Sequence, residues 1–372
     1  MAHVTVQDGV KASFYEILSA ANRPSPDASL TTAVLSPEIR AEQFSRFASL
    51  RTCIPQKLQL HGAGYIIRFA CDGYHYLAIN TEGMTVSEKG TLSEYFATKG
   101  LYDHAIEECF FLYLRFHLGR LYRLKAERRE AQAAADILDI SKEQGYSGHE
   151  ISDLISYHEE VQCYKLDMDS NYNSENIWSI AASLAANIPI LRTSLMVDDV
   201  ARNVERVSLL APHLAENAYT ALTSIHWKYI FFELYKCLEG MFFLSWGLKA
   251  KQVLKLSTAL EAHKIIREVT SFKEQEKTSI EGLFELLTDE LLQQVLGYDV
   301  ESFKNFPAEV TKPQVGRRIY KIRNQLIHQE DYEDREALDL ENENWADLIM
   351  AMCDIVCELF ASFKAEIQDA KV

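Results

Sequence analysis

The residues best placed to do chemistry in this chain are Arg323, Asn324 and His328, within the run Arg323-Asn324-Gln325-Leu326-Ile327-His328. A guanidinium can hold a phosphate through a two-pronged fork and stabilise charge that builds on it. An imidazole titrates near neutrality and can take or give a proton. RNA carries its own nucleophile, the 2′-hydroxyl, so these groups suffice for phosphodiester cleavage without a metal or another cofactor. Asn324 can orient either the histidine or the phosphate. At 100° per residue, Asn324 and His328 lie about 40° apart on a helix, whereas Arg323 and His328 are about 140° apart and roughly 7.5 Å apart along the axis. One helix therefore does not aim both groups at one phosphate. Two copies crossing at a two-fold axis would bring two arginines and two histidines into one cleft, and a self-complementary interface lets one sequence supply both halves.

The helix that must carry these residues starts after Pro313, and Ile319, Ile322, Leu326 and Ile327 give it an apolar stripe. Lys312, Arg317, Arg318, Lys321 and Arg323 have no acid among them, so the local charge favours a nucleic-acid backbone. The acidic run Glu330-Asp331-Tyr332-Glu333-Asp334 follows directly; it reads as a solvated loop or as a guard that repels RNA. Upstream, Glu233 and Glu239 sit among Phe231, Phe232, Leu234, Leu238, Phe242 and Phe243. Buried acids need partners, so either carboxylate is a candidate to support Arg323 or His328.

An Arg, four to six residues and then a His, with a polar residue directly after the Arg, late in a run of amphipathic helices, resembles the signature of the HEPN superfamily. The resemblance covers about 155 residues. It implies a helical bundle acting as a homodimer or higher even oligomer, and a metal-independent endoribonuclease leaving a 2′,3′-cyclic phosphate and a 5′-hydroxyl. It also implies a role as a toxin or phage-defence effector, with a regulatory partner or ligand acting on the N-terminal region. Some members of the superfamily are inactive binding or assembly modules; that reading and a plain helical scaffold are the alternatives. Related toxins modified by nucleotidyltransferase antitoxins carry a Tyr two positions after the His. Glu330 stands there in this chain, which argues against that route of control.

The sequence predicts a mainly α chain, α+β overall, in three regions. Residues 1–100 are mixed. Helices are expected over 14–22 and 38–50, with a hairpin of 65–71 and 74–80 turning at Asp72-Gly73 and a third strand near 58–61. Residues 101–211 read as helical over 102–140, 147–166 and 177–210, the last interrupted at Pro189. Residues 212–372 read as a bundle of about five helices: 213–249, 254–276, 278–297 with capping-box spacing from Thr278 to Glu281, the motif helix, and a C-terminal helix capped by Asn344. Arg115, Arg120, Arg123, Lys125, Arg128 and Arg129 form a basic stripe that reads as a solvated helix face or a phosphate-facing one.

Composition narrows the setting. The 372 residues carry a net charge of −16, so any RNA contact must come from a local patch. No window has the uninterrupted apolar length of a membrane span, and the first residues lack a secretory pattern. Seven scattered cysteines without a Cys-x-x-Cys argue against a disulfide framework or thiolate zinc site. These features lead to the expectation of a cytoplasmic protein.

Overall fold

In the computed structural model, the described residues are 33–34, 40–50, 53–61, 64–118, 149–167, 176–255, 258–270, 276–304, 306–307, 309–327 and 338–369. The helix expected over 14–22 and the basic residues from Arg120 to Arg129 lie outside them. The chain divides into two compact units, 1–181 and 182–372.

In the first unit the strands are β1 (Ala33–Val34), β2 (Gln56–Gln59), β3 (Tyr65–Cys71), β4 (Tyr74–Asn80), β5 (Leu101–His104), β6 (His149–Glu150) and β7 (Val161–Leu166). The helices are α1 (Arg40–Leu50), α2 (Val86–Thr98), α3 (Glu108–Leu118) and α4 (Ile151–Tyr157). The expected hairpin forms: Cys71 pairs with Tyr74, and Asp72 and Gly73 take positive φ angles of 51° and 79°. That backbone suits a right-twisted two-residue turn and favours Asp-Gly. Around it grows an antiparallel sheet of order β2-β3-β4-β7-β5. One face buries Tyr65, Ile67, Phe69, Tyr76, Ala78 and Cys163 with Phe110 of α3 and Phe47 and Leu50 of α1. On the other face Phe96 of α2 packs on Tyr164, ring centroids 4.4 Å apart. Thr85 and Glu88 close a reciprocal cap at the start of α2.

Two strands fall where helices are expected. Leu101–His104 and Val161–Leu166 pair with each other, and the latter also pairs with β4. Within 147–166 the helical part is only α4. The run Val-Gln-Cys-Tyr-Lys-Leu is too short for its periodicity to separate helix from strand. Its long-range pairing with Tyr76–Asn80 decides the matter.

The division between units falls inside α5 (Ile177–Asn187) rather than at the expected 211/212 boundary. After a short 3₁₀ turn at Pro189–Leu191 come α6 (Asp198–Ser208), α7 (Pro212–Thr223), α8 (Trp227–Glu239), α9 (Phe243–Leu254), α10 (Ala259–Thr270), α11 (Glu276–Phe284) and α12 (Asp289–Leu296). A second 3₁₀ turn (Glu301–Phe303) precedes α13 (Lys312–Ile327), α14 (Trp345–Ser362) and α15 (Lys364–Asp369). α6 belongs with the C-terminal helices because its Arg206 donates to Asp354 of α14 at 2.9 Å.

From Pro212 onward there are nine described helices rather than about five, because the long ones break. The expected 213–249 helix is interrupted after Thr223, where the Ser224 hydroxyl donates to the Thr220 carbonyl at 2.6 Å, and again around Gly240. The expected 278–297 helix begins at Glu276, stops after Phe284 and restarts at Asp289, where Thr288 accepts from the Leu291 amide at 3.2 Å. Asn344 caps α14 as expected, accepting from the Asp347 amide at 3.3 Å. No described helix is long and apolar enough to cross a membrane.

Candidate active site

α13 begins with Pro313 in its first turn, and Gln314 folds back to accept from the amide of Thr311 at 2.8 Å. Its buried residues are Val315, Gly316, Ile319 and Ile322, a stripe at helical spacing that faces α11. Full burial of Ile319 and Ile322 stabilises this seat by about 1.5–3 kcal/mol each. Gly316 makes the approach possible. A Cβ there would stand 2.9 Å from Phe284 Cγ and 3.0 Å from the Ile280 carbonyl oxygen of α11.

Arg323 lies one turn beyond Ile319 and about 20° from Gly316 around the axis, so it continues the packed face rather than the outer one. Its side chain is 23% exposed. Nε meets Glu276 Oε1 at 3.1 Å, at the start of α11. The Tyr235 hydroxyl of α8 donates to that same oxygen at 2.9 Å, and the guanidinium stands 5.9 Å from the centre of the Tyr235 ring. Nη1 donates to Asn324 Oδ1 at 3.0 Å. Three elements thus hold one guanidinium by its Nε edge, one Nη1 proton and one face. Nη2 meets no acceptor among the described residues, and the end-on edge of a guanidinium fork is chemically suited to an oxyanion.

The electrostatics follow from two carboxylates sharing this cation. Glu239, one turn past Tyr235, is raised above its ordinary range, first by partial withdrawal from water and then by Glu276, with Arg323 and Lys236 opposing. The Tyr235 phenol is pushed far up by burial and by its bond to Glu276, which keeps it a donor.

The other residues expected at the site are placed as follows. Glu233 accepts from Asn217 at 2.9 Å and from Lys236 at 2.6 Å, and supports α7 and its own helix rather than Arg323. The basic residues of α13 are not gathered into one patch. Lys312 pairs with Asp289 at 2.7 Å and Arg317 with Glu281 at 2.7 Å. Arg318 donates to the Ser302 carbonyl at 2.6 Å and lies 4.7 Å over the Phe306 ring. Lys321 is about 160° around the helix from Arg323. The acids missing from the local sequence come from α11 and α12. His328 and the acidic run 330–334 lie outside the described residues.

Sequence reasoning missed Glu276 and Tyr235. Tyr235 and Glu239 share a helix face at i,i+4 spacing, which is a usable signal. Glu276 stands in a Lys-Glu-Gln-Glu-Lys run, where no local pattern distinguishes it from Glu274. No known protein family, curated protein or solved structure matches this chain.

Proposed function

We propose that this chain is a metal-independent endoribonuclease of HEPN type, working as a dimer through its C-terminal helices. The observation that carries the reading is the Arg323 guanidinium, fixed by Glu276, Tyr235 and Asn324 with one forked edge left open, five positions before a histidine. In this reading Arg323 grips the scissile phosphate end-on and stabilises the extra charge of the transition state. His328 accepts the proton of the 2′-hydroxyl as the 2′-oxygen attacks phosphorus. The bond to the 5′-oxygen breaks, and that oxygen takes a proton from the second histidine of the dimer. The products are a 2′,3′-cyclic phosphate and a 5′-hydroxyl. Glu276 and Tyr235 act as positioning residues, and a toxin or phage-defence role follows from the same resemblance.

One observation favours a non-catalytic binding module instead: the guanidinium already has an internal carboxylate partner in Glu276. An RNA cleavage assay in EDTA separates the two. Activity in the wild type that disappears in His328→Ala supports the ribonuclease; an inactive wild type with measurable RNA binding supports the module.

A further inference from the structure

Among the described residues, part of one face of the first unit's sheet is uncovered. Strand register places Tyr76 opposite Lys165 and Lys165 opposite Tyr102, so these three side chains form one row on a single face. Tyr74 and His104 belong to the same face, each two residues from a member of that row on its own strand. α1 and α3 cover the neighbouring stretch, where Phe110 packs edge-on to Tyr76 at 4.9 Å. Beyond that stretch Tyr102 is 59% and Tyr74 38% exposed. Between them Lys165 Nζ stands 3.4 Å from the centre of the Tyr74 ring and meets no carboxylate among the described residues. His104 Nε2 is held by Glu107 at 3.1 Å, and its ring lies 5.3 Å from Tyr76. The Tyr76 hydroxyl is buried and has no hydrogen-bond partner among the described residues.

Neighbouring strands lie about 4.8 Å apart, so Tyr102 and Tyr74, two strands apart and offset by two residues, stand on either side of the lysine about 12 Å from each other, a span of more than one nucleotide. Exposed aromatic rings on a strand face offer stacking surface to any unpaired base, and a lysine without an acid partner offers a contact to the backbone between bases. Burial first, then Arg46 and Lys165, hold the His104 imidazole below its ordinary range.

We propose that Tyr102, Lys165 and Tyr74 form a base-stacking platform for single-stranded RNA. The choice of RNA rests on the ribonuclease reading; the stacking does not. The test is fluorescence anisotropy of the full-length chain with a labelled, uncleavable 2′-O-methyl oligonucleotide at low salt. Tyr102→Ala and Tyr102→Leu weaken binding about tenfold, since the ring and not merely apolar area is lost. Lys165→Gln makes the salt dependence shallower by about 0.7 in log–log slope, the release expected for one phosphate contact to a single strand. A wild type that cuts RNA while its probe affinity is untouched by these variants overturns the platform and leaves the ribonuclease intact. A wild type that binds through Tyr102 yet cuts nothing sustains the platform and removes the ribonuclease. A wild type that does not bind the probe overturns the platform outright.

Discussion

Two charged networks in the second unit join guanidinium to carboxylate, and they differ in what they leave open. Asp354 of α14 is almost fully buried, and both its oxygens are used. It accepts from Arg206 at 2.9 Å, Gln294 at 2.7 Å and the Tyr298 hydroxyl at 2.7 Å. Its anion is saturated, its neighbours come from α6, α12 and the segment after α12, and the Tyr298 phenol is pushed up to about 12 by burial and by that bond. The network around Arg323 has the reverse polarity. The cation sits at the centre, two carboxylates serve it, and part of its fork reaches solvent. A buried carboxylate with both oxygens used ties helices together, whereas a guanidinium with an unused edge has the chemistry to take a further anion.

The largest expected effect falls on the open network. If the chain is the proposed ribonuclease, Arg323→Ala should lower RNA cleavage by about 10²–10³-fold, the cost of losing one transition-state donor. Stability falls by about 1–2 kcal/mol, because the pair is only 23% and 28% exposed and its loss leaves Glu276 without its cation. Single-turnover kinetics with urea unfolding on the same preparation checks both halves. The closed network should show the opposite pattern. Asp354→Ala strands the donors of Tyr298 and Gln294 and costs about 3 kcal/mol of stability, read as a lower urea midpoint at unchanged slope. A variant of ordinary stability would erase the distinction.

A methyl at Gly316 sharpens the comparison by moving α13 off α11. Gly316→Ala must displace Phe284 or the Ile280 carbonyl. It should cost about 1–3 kcal/mol, as overpacking does, and lower cleavage more than binding by shifting Arg323 away from Glu276. Thermal unfolding alongside cleavage rates tests this; a stabilised variant would contradict the close packing.

How much of this was legible beforehand varies by element. The hairpin at Asp72-Gly73 and the Asn344 cap are local signals, and both formed where their residues stand. β5 and β7 were not legible, because their pairing is made across the chain. Leu101–His104 alone is four residues, and only its register with Val161–Leu166 makes it a strand. The breaks in the long helices depend on hydroxyl bonds such as Ser224 to Thr220 and on tertiary packing, not on Pro. At the site, Arg323 and Asn324 could be read from spacing, whereas Glu276 could not. The basic run from Lys312 to Arg323 looked uncompensated only because Asp289, Glu281 and Glu276 are distant in sequence.

Smaller effects test the electrostatics. The Glu239 carboxyl is raised in the folded chain, so folding binds its proton more tightly than the unfolded chain does. Its ionised form therefore costs stability at neutral pH, and that cost fades as the pH falls through the raised value. Glu239→Gln should stabilise the chain at pH 7 by a few tenths of a kcal/mol, discounted for solvent access, and by nothing once wild-type Glu239 is protonated. Melting temperatures from pH 7 to pH 4 check the sign. Lys312→Ala, which breaks an exposed pair with Asp289, should change stability by less than about 0.5 kcal/mol and leave cleavage unchanged.

In the proposed mechanism Arg323 and His328 direct a 2′-hydroxyl onto its own phosphate. Phosphorus NMR of the products formed from a short RNA in EDTA tests it most directly. A 2′,3′-cyclic phosphate resonance should grow with the wild-type chain and be lost with Arg323→Ala. Products bearing a 5′-phosphate, or cyclic phosphate formed equally well by the Arg323 variant, would contradict it.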